Sequence, residues 1–467
     1  MEDLFKKNIE YALSLGADFI DTRFQSIEET FIDVNNGAVT NCFQGNNSGA
    51  CVRVIANGSW GFSACNEVND SKLRTATENA IKIANAKGHV KHPVRLAKVK
   101  PSVEKVLLDV REDPRDVSLS EKTDMIVGLN KKISSFDDRV VNIRTQFTDQ
   151  VEHQIICNSE GTFIDMYLPR TETNFWATCR DGNESQWARN RQSKALGYEF
   201  IKIIDLLQQG KDVVQSALDL LVGDVTPPGR QTIIVDPCAL GVFIHEAFGH
   251  SNEADSVIQR RSFLRGLIGE RIASEHVTMW SDPTVKEELG SYPYDDEGTP
   301  GVKTCLIEKG ILRSYMHSRE TAAFYNVNST GNARAQDYSL PPIVRMNNLC
   351  MEPGDWSYEE IIEDTKSGIL VEGSRGGMED PERGGFQFSA QNCYLIREGE
   401  IVKPLKDVSI SGMTLEVFKS IDAVADNFYL HPGHCGKGEP GVMQSKGVSD
   451  GGPYCRVKDI LVGGQMK

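Results

Sequence analysis

The sequence lacks any long hydrophobic run. No segment approaches the roughly 18 uncharged apolar residues that a membrane-spanning helix needs. Residues 1–19 mix acids and lysines with apolar positions such as Phe5, Ile9 and Ala12, which predicts an amphipathic helix rather than a signal peptide. We therefore expect no membrane span and no export, and we predict a cytoplasmic protein.

Paired cysteine motifs and an excess of positive charge are also lacking. The 11 cysteines are odd in number and contain no C-x-x-C spacing, which argues against a disulfide framework and against a zinc ribbon. Cys51 and Cys157 lie in apolar runs and are predicted to be buried. The net charge of −15 makes nucleic acid and anionic membranes unfavourable partners, since neither is attracted over distance.

The length and the mixed patterns predict more than one domain. A chain of 467 residues is too long for one ordinary core. The α+β pattern begins with a hairpin at Asn57-Gly58 and a helix over 71–86. The segment DVTPPG at Asp224–Gly229 is the best boundary. We expect an N-terminal α+β domain at 1–224 and, at 230–467, a C-terminal, mostly antiparallel β domain that carries the helix with His245, Glu246 and His250.

Short strands are predicted from apolar and β-branched runs in both parts of the chain. The last of them is Val457–Gly464. In the N-terminal part they are Phe19–Gln25, Thr30–Val34, Val140–Phe147, Glu152–Cys157, Thr162–Tyr167 and Thr173–Arg180.

An acidic segment with the sequence YDDEGTPG occupies Tyr294–Gly301. Its proline and glycines are typical of a tight turn. Its carboxylates could bind a cation, but a solvated turn is the expectation.

The stretch from Thr232 to Asp255 holds the most informative residues. Thr232–Val235 is typical of a short buried strand, and Asp236 and Pro237 are typical of a helix cap and a first helical position. The helix that follows carries His245, Glu246 and His250.

The spacing of these histidines is unusual for a metal site. At roughly 100° per residue, positions five apart diverge by about 140° around a regular α-helix. His245 and His250 share a metal only if the helix widens into a π-type turn or ends near Gly249. The residues alone leave open a metal site and a capped structural helix with satisfied histidines.

A second group of candidate ligands lies far along the chain. His431, His434 and Cys435 occur among glycines in HPGHCGK. A thiolate is a good zinc donor, and glycines let the backbone approach a ligand. The alternative is an inert or oxidisable thiol.

Several motifs together resemble the TldD/PmbA family of metallopeptidases. They are HEAFGH at 245–250, DDEGTPG at 295–301, ARAQDYSLPPIVRMNN at 333–348, GGF at 384–386 and CGK at 435–437. The order is right and the similarity spans nearly the whole chain. The HExxxH element is similar to that of the metal-bearing, TldD-like type rather than the sister subunit that lacks it.

This resemblance implies a function and a site. His245, His250 and Cys435 would bind one zinc ion, and Glu246 would activate a metal-bound water. Glu253, His431 and His434 are candidates for contacts to the ligands or the substrate. The implied enzyme is a zinc-dependent peptidase of small or unfolded peptides that works as a homodimer or as a heterodimer with a sister subunit.

Two other functions remain alternatives at this point. Cys435 could be the nucleophile of a cysteine hydrolase, with His431 or His434 as its base. The chain could instead be a non-catalytic subunit or scaffold of a TldD/PmbA-type complex.

Overall fold

One sheet of long strands organises the N-terminal part of the chain. The computed structural model describes residues 1–86, 92–439 and 442–463. The strands of this sheet are β1 (Phe19–Asn35), β2 (Ala38–Ala56), β3 (Ser59–Cys65), β4 (Val103–Val106), β5 (Val140–Asn158), β6 (Phe163–Asp181) and β7 (Glu184–Lys194). Their order is β3-β2-β1-β5-β6-β4, and β7 pairs with the other end of β6. In the described part of the chain β7 is therefore an edge strand.

Helices pack their apolar faces against this sheet. They are α1 (Glu2–Ser14), α2 (Asp70–Ala86), α3 (Leu119–Ser134), α4 (Phe200–Ile203) and α5 (Leu206–Val222), with a 3-10 turn at Pro114–Asp116. Leu73, Ala76 and Ala80 share one face of α2 and are buried, as their helical spacing predicts. The Asn57-Gly58 hairpin is confirmed by its pair of positive φ angles, 51° and 74°, which suit these two residue types.

The prediction of short N-terminal strands was wrong in one respect. The six short strands predicted over Phe19–Val34, Val140–Cys157 and Thr162–Arg180 are merged in β1, β5 and β6. The polar residues that suggested breaks remain in the ladder, because they find partners there. Asp149, for example, is buried beside Lys122 of α3, with the Lys122 Nζ and Asp149 Oδ2 atoms 2.6 Å apart.

Two larger sheets form the C-terminal part. Their strands, and those of a small hairpin, are β8 (Asp224–Val225), β9 (Gly229–Val235), β10 (Met279–Ser281), β11 (Thr304–Glu308), β12 (Ile311–Leu312), β13 (Ala333–Arg334), β14 (Ile343–Val344), β15 (Leu349–Met351), β16 (Ser367–Asp380), β17 (Gly385–Arg397), β18 (Glu400–Lys406), β19 (Ser409–Met413), β20 (Ile421–Val424), β21 (Tyr429–Glu439), β22 (Val442–Gly452) and β23 (Cys455–Gly463). The first sheet has the order β12-β11-β10-β15-β22-β21. In the second, β16, β9, β23, β19 and β17 close into a ring, because β16 also pairs with β17.

The helix that carries the candidate site packs between these two sheets. It is α6 (Pro237–Ile244), which contacts β16 of the ring on one side and β22 of the six-stranded sheet on the other. Phe243 packs on Phe386 and Phe418, with ring centroids 5.1 and 5.3 Å apart. The remaining helices are α7 (Ala254–Ile258), α8 (Arg319–Tyr325), α9 (Tyr358–Glu363) and α10 (Thr414–Lys419). Both faces of α6 are thus fixed by neighbouring strands.

The acidic segment Tyr294–Gly301 is not the solvated turn that was expected. Asp295, Asp296 and Glu297 are all buried. The reason is that β1 and β2 supply cations that are distant in sequence. Arg23 Nη1 lies 2.9 Å from Asp296 Oδ2, and Arg53 Nη1 lies 3.3 Å from Glu297 Oε1. These carboxylates join the N-terminal sheet to the C-terminal part.

The predicted α+β class is confirmed by this mixture of helices and largely antiparallel strands. Cys51 and Cys157 are buried, as predicted. The predicted last strand corresponds to β23, although Gly464 lies outside the described residues. Within the described ranges we find no helix long and apolar enough to cross a membrane. The division into domains at 1–224 and 230–467 stays a prediction.

Candidate metal centre

The start of α6 is set by its N-cap residue and by its first helical residue. Asp236 accepts a hydrogen bond from the Ala239 N–H, with the Oδ1 and N atoms 2.7 Å apart, and Pro237 occupies the first helical position. Both features agree with the sequence-based expectation. The cap fixes where the helix begins, and therefore where its last turn delivers His245.

The helix widens after Ile244. Residues His245–Gly249 form a π-helical turn, and a 3-10 turn at His250–Asn252 follows. In a π-type turn the hydrogen bond runs from residue i to residue i+5, so residues five apart lie one above the other. The imidazoles of His245 and His250 accordingly meet, with ring centroids 4.9 Å apart and planes at 85°.

Gly249 is required by close packing at this turn. A Cβ atom at this position would lie 2.1 Å from the sulfur of Met346. A side chain there would push the turn away from the hydrophobic core, and His250 with it.

Cys435 joins the histidines from strand β21. Its Sγ atom lies 3.6 Å from Nε2 of His250. One donor atom from each of His245, His250 and Cys435 lies within 4.8 Å of the others, and all three residues are buried. The structure thus brings together three side chains that the sequence separates by up to 190 positions (435 − 245).

Two carboxylates hold the outward nitrogens of the imidazoles. Asp450 Oδ2 lies 2.7 Å from Nδ1 of His245, and Glu253 Oε2 lies 3.3 Å from Nδ1 of His250. A proton on each Nδ1 would be shared with these oxygens, which leaves Nε2 as the lone-pair donor of each ring. Glu253, which was predicted to contact a ligand or the substrate, therefore lies against His250, a predicted ligand. Asp450 was not predicted.

The charges around Cys435 favour its thiolate. Burial opposes ionisation, but His245, His250 and Arg345 outweigh it and hold the pKa of the thiol well below its usual value. Burial also opposes the charge on Glu253, yet Lys437 and the neighbouring cations hold the pKa of Glu253 at about 2. Lys437 Nζ lies 3.3 Å from Glu253 Oε2. The cluster is thus arranged for an anionic sulfur.

The donor set fits a transition metal such as zinc. Thiolate sulfur and imidazole nitrogen are ligands that zinc prefers, and carboxylates behind metal-binding histidines are common. Three protein donors leave a fourth tetrahedral position, which is the pattern of catalytic rather than structural zinc sites.

Glu246 lies beside this cluster and is partly buried. Burial raises its pKa, His245 opposes that shift, and a hydrogen bond with Glu379 adds to it. Glu246, His250 and Glu379 form a second group whose donor atoms lie within 4.8 Å of one another. Glu379 lies on β16, and no motif or spacing pointed to it. The same is true of Asp450, which lies 205 residues from His245.

A cleft of about 550 Å³ opens beside Glu246 and His245. Its walls come from α6, from β7 of the N-terminal sheet, and from β16 and β21. The volume is typical of a small-ligand site, for which roughly 300–1,000 Å³ is usual.

His431 and His434 line this cleft rather than joining the three-donor cluster. Nε2 of His434 lies 3.0 Å from Oε2 of Glu172 on β6, and the His431 ring packs 5.0 Å from that of Tyr429. Both histidines therefore have partners away from the proposed ligand atoms.

Three domain families of one metallopeptidase family match the chain. The PmbA/TldA metallopeptidase C-terminal domain matches residues 228–464, and domain 1 and the central domain of the same family match residues 20–84 and 112–221. The chain belongs to the PmbA/TldD family of metallopeptidases. It is thus a metallopeptidase, an enzyme that hydrolyses peptide bonds.

Individual members of the PmbA/TldD family agree with this assignment. A metalloprotease of Methanothermobacter thermautotrophicus is 38% identical over 447 residues, which cover 96% of each chain. A zinc metalloprotease TldD homolog of Saccharolobus solfataricus is 28% identical, over 98% of this chain and 100% of its own. The crystal structure of TldE from Thermococcus kodakarensis shares the fold, with a TM-score of 0.81 at 18% identity, over 99% of this chain and 100% of that chain.

Proposed function

We propose that this PmbA/TldD-family enzyme is a zinc-dependent peptidase that binds one zinc ion through His245, His250 and Cys435. One observation carries the proposal: a thiol and two imidazoles lie within 4.8 Å of one another in a buried cluster beside a cleft. The zinc metalloprotease name of the Saccharolobus solfataricus relative supports the choice of metal. When bound, zinc supplies a Lewis acid that lowers the pKa of water to about 7 and polarises a carbonyl.

Glu246 is the residue that we propose as the general base. It follows His245 directly, reaches the cleft, and has a carboxylate oxygen within 4.8 Å of one of Glu379. A carboxylate in this position can take a proton from the attacking water and deliver it to the departing amine. Asp450 and Glu253 orient the imidazoles, and Arg345 and Lys437 balance the negative charges of Cys435 and Glu253.

The walls of the cleft suit an extended peptide. β7 and β21 are edge strands in the described part of the chain, and β16 pairs with β9 only as far as Val371. A substrate segment that adds to such an edge must have free backbone groups. We therefore propose small or unfolded peptides as substrates, since the strands of a folded protein are already paired.

We further propose that the protein is cytoplasmic and works as a dimer. Its partner would be a second copy or a sister subunit of the family, and the fold shared with TldE from Thermococcus kodakarensis supports a sister subunit of the same architecture. We retain the division into an N-terminal domain at 1–224 and a C-terminal metallopeptidase domain at 230–467 as part of the proposal.

The cysteine hydrolase has less support. Cys435 is only 2% exposed, and His434 is engaged by Glu172. A scaffold without catalysis is also less favoured, because His245, Glu246, His250 and Cys435 are all present and adjacent.

The test combines metal analysis with a Glu246→Gln variant. We expect one zinc per chain in the parent and in the variant, and a loss of peptide cleavage of about 10²- to 10⁴-fold in the variant. Glu382→Gln is the matched control, since Glu382 is exposed on the same hairpin as Glu379. Parent protein that cleaves peptides equally well after complete removal of metal, or Glu246→Gln protein as active as the control, would overturn the proposal. Loss of activity on thiol alkylation without sensitivity to chelators would favour the cysteine hydrolase.

A further inference from the structure

Two arginines of β7 face the cleft, and they differ in their partners. Arg189 and Arg191 both line it. The guanidinium of Arg191 is engaged: its Nε donates to Asn174 Oδ1 at 2.8 Å and lies 3.6 Å from Glu172 Oε1. Arg189 is held through its backbone, because its N–H donates to Gln391 Oε1 at 3.0 Å. Among the described residues, no carboxylate forms a salt bridge with its side chain.

Arg189 is consequently a partly desolvated cation without a counter-charge. Burial is the largest cause that lowers its pKa, and the neighbouring positive charge of Arg191 lowers it further. The acids that share the cleft do not supply a counter-charge to the Arg189 guanidinium. Asp236 Oδ1 accepts hydrogen bonds from the Ala239 and Gly373 N–H groups, and the pKa of Glu372 is raised by burial alone.

The charged side chains of Arg191 and Arg375 repel Arg189, and the polar residues beside it are neutral. Asn190, Gln391 and Asn392 line the same wall of the cleft. Keeping a cation in such surroundings costs free energy unless a ligand supplies the missing charge. The planar guanidinium matches a carboxylate with two parallel hydrogen bonds.

We infer that Arg189 determines specificity by binding a carboxylate of the peptide substrate in the cleft that also contains Glu246. The inference rests on the proposed peptidase function. A carboxylate held by Arg189 fixes the register of an extended peptide, so that one peptide bond is brought to Glu246 and the metal ligands. The carboxylate is either the peptide's own C-terminal group or an Asp or Glu side chain.

One peptide sequence in four forms separates these sources. The peptide contains no other acidic residue. Its C-terminus is either an amide or a free carboxylate, and one internal position holds either Gln or Glu, which gives the four forms. The set of four is repeated with the internal position moved along the peptide. Cleavage by the zinc-loaded parent enzyme is measured as kcat/KM, together with the position of the cut.

We expect the parent to prefer the carboxylate-bearing forms by roughly 10- to 100-fold in kcat/KM, mainly through KM. In Arg189→Gln this ratio should fall to about 1, and in Arg189→Lys it should fall part of the way, because the charge is kept but the paired hydrogen bonds are lost. Arg180→Gln is the matched control: Arg180 is exposed at the end of β6, outside the cleft, and its loss should leave rate and ratio unchanged. The zinc content of each variant shows whether it folds.

Binding provides a second readout. In a Glu246→Gln background, calorimetry with the carboxylate-bearing peptide should show a dissociation constant that rises roughly 10- to 100-fold when Arg189→Gln is added. A preference that follows the free C-terminus identifies the terminal carboxylate, and one that follows Glu identifies the side chain.

Contrary results are distinguishable. Parent enzyme that cleaves all four forms equally, or Arg189→Gln enzyme that keeps the preference, overturns the inference and leaves the proposed peptidase standing. Zinc-loaded parent that cleaves no form overturns the proposed function and this inference with it.

Discussion

Asp450 and Glu253 act on the proposed metal through the imidazoles that they hold. Asp450 lies 2.7 Å from Nδ1 of His245, and its other oxygen accepts the Leu349 N–H at 2.9 Å. The carboxylate is therefore fixed on both sides. It sets the orientation of His245 and favours a free lone pair on Nε2.

Asp450→Asn should weaken zinc binding by about 10- to 100-fold, because an amide orients the ring less strongly and adds no charge. Competition with a zinc chelator at fixed pH measures this change. Asp459→Asn, an exposed position of β23, is the control and should bind zinc as the parent does. Equal affinities in both variants would show that Asp450 has no part in the centre.

His317 predicts a pH dependence of stability away from the metal centre. It is buried between Tyr315 and Tyr325, and its Nδ1 lies 3.2 Å from the Thr321 hydroxyl. Burial lowers its pKa to about 4. The imidazole of His317 has a pKa of about 6.5 in the unfolded chain. Between pH 6.5 and 4 it therefore binds a proton in the unfolded state but not in the folded state.

The free energy of unfolding should therefore fall by about 3 kcal/mol through His317 as the pH drops across this window. His317→Gln removes this contribution, so the stability of the parent relative to the variant should decrease by that amount between pH 7 and pH 4. Urea unfolding at several pH values measures it. His92→Gln, at an exposed position, should follow the parent at every pH. A constant difference between parent and His317→Gln would contradict the prediction.

Part of the centre could be predicted at the residue scale. The spacing of His245 and His250 indicated a widened turn, and the resemblance supplied Cys435; the ligand set and the role of Glu246 stay predictions. Asp450 and Glu379 could not be predicted from local patterns. Each is an ordinary acid in a glycine-rich strand and gains significance only through pairing with a distant element.

At the scale of elements, the π-turn after α6 is the critical feature. It turns a spacing that is unfavourable on a regular helix into a shared face. The turn is held by the Asp236 cap at one end and by the packing of Gly249 on Met346 at the other.

Gly249→Ala should destabilise the protein by about 1–3 kcal/mol and lower its zinc content, because the added methyl group overlaps the Met346 sulfur. Urea unfolding and metal analysis test this. Gly128→Ala is the matched control. Gly128 lies inside α3, where a Cβ atom meets nothing within 4 Å, so the exchange should stabilise by about 0.5–1 kcal/mol. A Gly249→Ala protein with full zinc and parental stability would show that the turn tolerates displacement.

The strands show why local patterns predicted short elements. The predicted strands ended where polar residues interrupt β1, β5 and β6, yet these strands run on because their polar residues are satisfied across the sheet or by helices. Lys122 and Asp149 are one such pair. A pattern of apolar residues reveals burial against a core, whereas burial against an opposite charge depends on residues distant in sequence.

At the scale of the molecule, buried ion pairs link the N-terminal sheet to the C-terminal part. Arg23 pairs with Asp296, and Arg53 pairs with both Asp21 and Glu297. The acidic segment was expected in solvent because its arginine partners are too distant in the sequence to be recognised. Arg53 and Glu297, for example, are separated by 244 positions.

Asp296→Asn should destabilise the protein by about 3–5 kcal/mol, because it leaves Arg23 buried without its counter-charge. Calorimetry should then show a lower unfolding temperature, with the two parts unfolding less cooperatively. Asp224→Asn breaks an exposed pair with Lys403 and should cost less than about 1 kcal/mol. Equal effects of the two substitutions would mean that the buried pair contributes no more than a surface contact.

The late position of β21 and β22 in the chain has a consequence for biosynthesis. His250 precedes Cys435 by 185 residues, and the carboxylate behind His245 emerges later still. At roughly 5–20 residues per second, a ribosome needs on the order of 10–40 s to add the thiol after the histidine. During that interval a nascent chain holds two of the three proposed zinc donors and no complete proposed centre. The proposed zinc peptidase would thus be unable to attack unfolded polypeptides, its own emerging chain included, until β21 has been made.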